Sequence, residues 1–325
     1  MADAHDGVFV QAPARLHFGM LDPHGTTGRR YGGIGAAVPD PSLLVFVTRD
    51  DQVQASGPAH QRARAFARTF LEYHGVRGGA NIRILRMLPE HCGLGSGTQL
   101  ALAVARALAE LYDLPPDAAS LARATGRAQR SAIGTWVFSL GGFILEGGRR
   151  AERDVLAPLL ARWAMPAHWR CVLVVPPGSP GVSGVTESAA FARLPVPPAS
   201  DVMQVARLVL LSLLPALVEE DCVTFGRALS EIQCINGRWF APAQGGDFAP
   251  GASAALIARM RDCGAAGVGQ SSWGPAVYGI VENEAAATAL AAEARRVMAD
   301  GGLILTGPFD NVGARVWRAP RETLM

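Results

Sequence analysis

Short apolar runs alternate with helical periodicity along the first half of this chain. Val and Phe at 8–12 and 43–48, bounded by Pro, Gly or Asp, predict strands. His60 to His74 predicts a helix with Phe66, Phe70 and Tyr73 on one face. Asn81 to Leu88 predicts a strand stopped by Pro89. Ser96 to Tyr112 carries Leu100, Val104, Leu108 and Leu111 at helical spacing, with Pro115 soon after. The apolar run Trp136 to Leu145, with Gly141-Gly142 inside it, predicts a strand. Beyond a break near 147–170, Cys171 to Val175 predicts a strand and the proline-rich stretch after it a long loop. Helices are predicted at 201–218, 219–235, 252–263 and 284–299, and strands at 275–282, 302–306 and 312–318. The pattern describes an α/β chain in two lobes, residues 1–160 and 161–325.

Composition narrows the chemistry. Apolar residues are 49% and charged residues 18% of 325, enough for large cores. The net charge is +2 and no basic cluster stands out, which argues against a nucleic-acid partner. All 30 basic residues are arginine. Without lysine there is no Schiff base and no P-loop motif, so bound anions must be met by arginine, backbone N–H groups, hydroxyls or a metal. The five cysteines form no C-x-x-C pair and read as reduced thiols of a cytoplasmic protein. No signal-peptide pattern opens the chain. The most apolar run, Val205 to Val218, contains Arg207 and Pro215 and is shorter than the roughly 20 residues of a membrane span.

Five segments carry candidate chemistry. Gly93-Leu94-Gly95-Ser96-Gly97-Thr98 joins a strand to the 96–112 helix, where free helical N–H groups and the dipole favour phosphate. A plain glycine turn with Ser96 as N-cap is the alternative. The glycine-rich segments 12–22 and 28–35, read as loops, hold Arg15, His17, Arg29, Arg30 and Tyr31, which offer an anion clamp. Gln270-Ser271-Ser272-Trp273 gives an aromatic wall with polar neighbours, suited to a ring or a sugar. Arg130 and Ser131 stand at the entrance of the 136–145 run. Residues 178–187 form a loop with Ser183 in it, ending in Glu187. Asp22, Glu146, Glu187 and Asp310 are the carboxylates near these segments and the candidate metal ligands, with no specific metal set among them.

The motif Pro89-x-x-x-Gly93-Leu94-Gly95-Ser96 opening a helix, with Pro13, Arg15 and Gly19 near the start and a glycine-rich turn late in the chain, resembles the GHMP kinase superfamily. Gly97 stands where that superfamily usually has a second serine. The resemblance implies a two-lobe α+β/α/β fold, with an N-terminal lobe like ribosomal protein S5 domain 2 and a ferredoxin-like C-terminal lobe. Two departures oppose kinase chemistry: Ile133-Gly134-Thr135-Trp136 supplies no aspartate base, and the motif lysines are missing. Arg15–Asp22, Gly28–Gly35, Arg130–Thr135 with Gly141–Gly148, and Val268–Ile280 are together similar to the β-ribofuranosylaminobenzene 5′-phosphate synthase branch. That branch implies transfer of phosphoribosyl from phosphoribosyl pyrophosphate (PRPP) to 4-hydroxybenzoate or 4-aminobenzoate, releasing CO₂ and pyrophosphate, in methanopterin biosynthesis. It also implies Mg²⁺ and a homodimer. On this resemblance Gly93–Thr98 take a phosphate of PRPP. Arg15, His17 and Arg30 take pyrophosphate or the benzoate carboxylate. Ser271, Ser272 and Trp273 line the pocket, Arg130 and Ser131 assist, and Glu187 stabilises a sugar cation. The competing expectations are an ATP-dependent GHMP kinase of a small molecule and a non-catalytic phosphate- or nucleotide-binding module.

Overall fold

Eleven strands and ten helices order the described part of the chain, which in this computed structural model comprises residues 6–150, 156–178, 181, 184–298 and 301–320. The strands are β1 (Asp6–Asp22), β2 (Tyr31–Asp50), β3 (Gln54–Ser56), β4 (Gly79–Arg86), β5 (Phe143–Glu146), β6 (Leu159–Trp163), β7 (Arg170–Val175), β8 (Gly267–Gln270), β9 (Val277–Val281), β10 (Leu303–Gly307) and β11 (Arg315–Pro320). The helices are α1 (His60–Tyr73), α2 (Ser96–Tyr112), α3 (Ala118–Ala124), α4 (Ile133–Leu140), α5 (Gly184–Ala192), α6 (Ala199–Leu208), α7 (Leu214–Val218), α8 (Cys222–Gln244), α9 (Ala252–Asp262) and α10 (Glu284–Val297).

The first sheet runs β11-β1-β2-β4-β3, with β5 on β2 and β6 on β5. The second runs β10-β7-β9-β8, antiparallel throughout. The lobes therefore do not divide cleanly along the sequence. β6 spans the expected boundary at 160 and belongs to the first sheet, and β11 returns from the far end of the chain to pair with β1.

Period-two burial explains β1. Val8, Val10, Ala12, Ala14, Leu16 and Phe18 are fully buried on one face, which turns Arg15 and His17 to the other. Residues 12–22 and 31–35 of the glycine-rich segments expected as loops are thus paired strands, with Arg15 opposite Ala37 and His17 opposite Gly35. Their glycines serve close packing: a Cβ on Gly35 would meet Leu16 O and Ile133 Cγ2.

Helix α2 begins and ends where its periodicity predicts, and twelve of its residues are buried, as expected for a helix enclosed by neighbours. Other expectations differ. The 136–145 run is the end of α4, a Gly141-Gly142 turn and then β5, because a short apolar run fits a buried helix as well as a strand. The proline-rich loop contains α5. The apolar run joins α6, a π turn at Val209–Leu213 and α7 into one helix, Ala199–Val218, with mean hydropathy 1.7 and 20 residues, long enough to cross a membrane by length and composition alone.

Side-chain amides of α8 tie the lobes together. Met20 N donates to Asn236 Oδ1 at 2.5 Å, and Asn236 Nδ2 donates to Met20 O. Gln233 Nε2 donates to Phe18 O, while its Oε1 accepts from Gln270 N at 2.8 Å. The seam so closed is where the candidate residues meet.

Candidate active site

Gly93 and Gly95 take φ of +81° and +76°, so the loop turns back on itself just before α2. Gly95, not Ser96, is the N-cap; its carbonyl accepts from both Thr98 N and Gln99 N, and Ser96 is the first helical residue. The N–H groups ahead of those bonds face outward with the positive end of the helix, which suits an anion.

β1 meets this loop directly. Arg15 N donates to Leu94 O at 3.1 Å, and Arg15 Nη1 donates to Gly93 O at 3.1 Å. Ser271 completes a clamp, donating from Oγ to Gly93 O at 2.6 Å and accepting from His17 N at 3.0 Å. Its one proton is thereby committed, so the expected pocket-lining role of Ser271 becomes a positioning role. Two polar atoms beside the clamp, Arg15 Nε and His17 Nε2, are buried without a partner among the described residues. Burial lowers the Arg15 pKa to about 10, against the favourable charge of Glu187, so the guanidinium remains protonated at neutral pH. Burial, and then the Arg15 charge, hold His17 down to about 3, so it works as a neutral imidazole.

Glu187 lies in the first turn of α5 rather than in a loop, and its Oε2 accepts from Arg130 Nη2 at 2.6 Å. Arg15, Arg130 and Glu187 are therefore brought together; Ser183 falls outside the described residues. Ser131 Oγ accepts from Ile133 N and bonds the Glu146 carboxyl. Arg30 departs from expectation: it is exposed and donates from Nε to His24 O within the β1–β2 turn. Pairing of Asp22 with Tyr31 puts that turn seven residues along β1 from Arg15, about 23 Å at strand rise.

Beside the clamp lies a pocket of about 450 Å³, open mouth included, with His17 and Gly19 on one wall. Phe191, Phe240 and Trp273 stand mutually edge-on, with centroids 4.9–5.7 Å apart, and Tyr31 meets Phe191 edge-on at 6.1 Å. Trp273 is buried, as an aromatic wall requires, and exposed Ser272 lines the mouth. Gln270 also lines the pocket, but its amide is committed to Ala249 N, Gln244 and Ser272 O. Sequence reading missed Phe191 and Phe240, which come from separate helices. It also missed Arg62 and Arg127 at the far end of the loop. An added Cβ on Gly97 would lie 2.5 Å from Arg62 Nη2 and 3.9 Å from Arg127 Nη1, so this glycine marks where they enter.

Among the described residues no group of three or more His, Cys, Asp or Glu converges on a metal position. Asp22 closes its own turn through His24, Gly25 and Thr26; Asp310 bonds Val312 N, Gly313 N and Arg315. Glu146 accepts from Ala132 N and Gly148 N, and burial raises its pKa to about 7. The folded protein therefore holds a proton that the unfolded chain releases near pH 4.5. This contribution to stability is complete below that pH and disappears as pH rises through about 7. Glu146→Gln should remove the effect: its melting temperature relative to wild type is expected to climb between pH 5 and 8, and a constant difference in a pH series of thermal melts would refute it.

Family models agree with this architecture: that of the GHMP kinases N terminal domain matches residues 61–141 and that of the GHMP kinases C terminal matches 213–300. A beta-ribofuranosylphenol 5′-phosphate synthase of Methanothermobacter thermautotrophicus is 32% identical over 92% of this chain and 96% of its own. One of Archaeoglobus fulgidus is 34% identical over 85% of this chain and 88% of its own. Homoserine kinase from Cytophaga hutchinsonii has the same fold, with a TM-score of 0.71 at 18% identity over 96% of this chain and 97% of that one. With these relatives along most of its length and both family models matched, the chain belongs to the GHMP superfamily, in the family of the beta-ribofuranosylphenol 5′-phosphate synthases.

Proposed function

We propose that the protein is a pentosyltransferase that condenses PRPP with 4-hydroxybenzoate to a β-ribofuranosylphenol 5′-phosphate, releasing CO₂ and pyrophosphate, as a step of methanopterin biosynthesis. The observation that carries the reading is one shared wall: Ser271–Trp273 borders both the cationic phosphate loop and the aromatic pocket. The phenol in the relatives' name favours 4-hydroxybenzoate over 4-aminobenzoate as acceptor.

The residues suit such a reaction. The C1–O bond of PRPP breaks with its electron pair leaving on pyrophosphate. Arg15 and the α2 N–H groups favour that departing charge, a preorganised electrostatic contribution. The ring carbon bearing the carboxylate then bonds to C1, and the bond to CO₂ breaks to restore aromaticity. No group has to remove a ring proton, so the absence of a carboxylate from Ile133-Gly134-Thr135-Trp136 is no obstacle. Neutral His17, with an unpartnered Nε2 between the loop and the pocket, can hold the acceptor carboxylate without adding a charge that would oppose its loss.

Mg²⁺ is proposed as a component of the substrate, since it characteristically binds through phosphates with one or two protein carboxylates. Glu187, beside Arg15 and Arg130, is the carboxylate in reach of that chemistry. A cytoplasmic homodimer is proposed as well. All five cysteines are free, and Met203, Leu210, Leu211 and Val218 leave an apolar side of the Ala199–Val218 helix exposed for a second copy.

Incubation with PRPP, Mg²⁺ and carboxyl-labelled 4-hydroxybenzoate is expected to release labelled CO₂ with one equivalent of pyrophosphate. A parallel reaction with ATP and small alcohols should yield no phosphoryl transfer. CO₂ retained by folded protein, or phosphorylation in the second tube, would overturn the reading.

A further inference from the structure

Cationic groups approach the glycine loop from both ends. At Gly93 and Gly95 the neighbour is Arg15, whose Nε lies 3.3 Å from the point a Gly95 Cβ would occupy. At Gly97 the neighbours are Arg62, from α1, and Arg127, which follows α3. The two ends differ in what balances them. Arg62 pairs with Glu90 across an exposed surface. Arg127 stacks at 4.7 Å over the Phe66 ring, and its Nε is buried without a partner among the described residues. Burial and the like charge of Arg62 both depress its pKa, so the fold holds this cation beside another against their mutual repulsion. An anion at Gly97 would relieve both.

The loop also has a direction. Its Gly93 end adjoins Ser271, and through it the aromatic pocket; its Gly97 end is four residues farther along the chain, where the neighbours are Arg62 and Arg127 instead. PRPP has the same polarity, for C1 carries the pyrophosphate and must face the acceptor, whereas the 5′-phosphate is at the other end of the ribose.

We propose that Arg127 and Arg62 form a second anion subsite, which takes the 5′-phosphate of the donor while the Arg15 end takes the pyrophosphate. The assignment rests on the phosphoribosyl reading of the previous subsection. Arginine's planar fork suits a terminal phosphate, which can accept two parallel bonds. It also gives the absent second serine a reason: the space beside residue 97 is held for guanidinium groups instead of a side chain.

Calorimetric titration of wild type, Arg127→Gln and Arg62→Gln with PRPP and, separately, with inorganic pyrophosphate tests this. Arg127→Gln is expected to weaken PRPP at least tenfold and pyrophosphate less than threefold, with Arg62→Gln moving PRPP alone by at least threefold. If PRPP binds folded Arg127→Gln within threefold of wild type, or both ligands weaken alike, the subsite is refuted. Should Arg127→Gln not fold, an unchanged PRPP affinity in Arg62→Gln refutes it equally. Wild type that shows the expected binding pattern but releases no CO₂ sinks the acceptor reading and leaves the subsite standing. Wild type that does not bind PRPP sinks both.

Discussion

Arg15→Gln is expected to lower kcat/KM for PRPP at least 100-fold, about 2.7 kcal/mol of transition-state stabilisation, while the melting temperature stays near that of wild type. The size of the effect follows from where this arginine stands. It is the charged side chain that contacts the loop at both Gly93 and Gly95, and its Nε is left without a partner in a site removed from water. In such a place a positive charge acts on a departing pyrophosphate with little screening. The fold should survive, because the link between β1 and the loop is also made by backbone, Arg15 N to Leu94 O, and by the Ser271 hydroxyl. Arg15→Lys should recover little, since an ammonium keeps the charge but not the planar fork. Arg30→Ala is the internal comparison. Exposed and bonded to His24 O in its own turn, it should leave kcat/KM within threefold. Equal losses in the two variants, measured as initial rates over a PRPP series, would mean that the anion clamp is not where β1 puts it.

The difference between these arginines shows how much of the site the sequence carries. Loop 93–98 and α2 are legible because three glycines interrupt one periodicity just where another begins. The pairing of Arg15 with His17 was within reach too: apolar residues at 8, 10, 12, 14, 16 and 18 already set both on the opposite face of one strand. What concealed that strand was glycine, which reads as loop in sequence but here lets β1, β2 and α4 approach closely. Arg30, in the next glycine-rich segment, is separated from Arg15 by the hairpin register, which composition does not reveal. The aromatic pocket was half legible. Trp273 lies in a recognisable segment, whereas Phe191 and Phe240 come from helices whose apolar residues look like any others until tertiary packing brings their rings together. Arg62 and Arg127 had only one sequence sign, the small residue at 97, and its meaning depends on knowing what fills the space.

Gly93→Ala should be severely damaging for a single added methyl. The backbone at 93 has φ of +81°, where an L side chain costs about 1 kcal/mol or more. That strain is the lesser part. The new Cβ would strike Ser271 O, a backbone atom that accepts from Gly274 N and is followed by buried Trp273, so it cannot swing aside as a side chain would. Loop and β8–β9 connection must separate, which stretches Ser271 Oγ to Gly93 O and, with it, the Ser271 link to His17 N and the Arg15 link to Gly93 O. A loss of roughly 3 kcal/mol or more in stability, with turnover below detection, is expected from strain, overlap and broken buried bonds together. Gly75→Ala separates these causes. Gly75 has φ of +63° but nothing within 4 Å of its Cβ position, so it should show the conformational cost alone, about 1 kcal/mol, with turnover unchanged. Denaturant melts of both variants decide the matter. Equal destabilisation would mean that the loop is not braced by the second lobe, and the glycine loop and the aromatic pocket would then lose the wall that joins them.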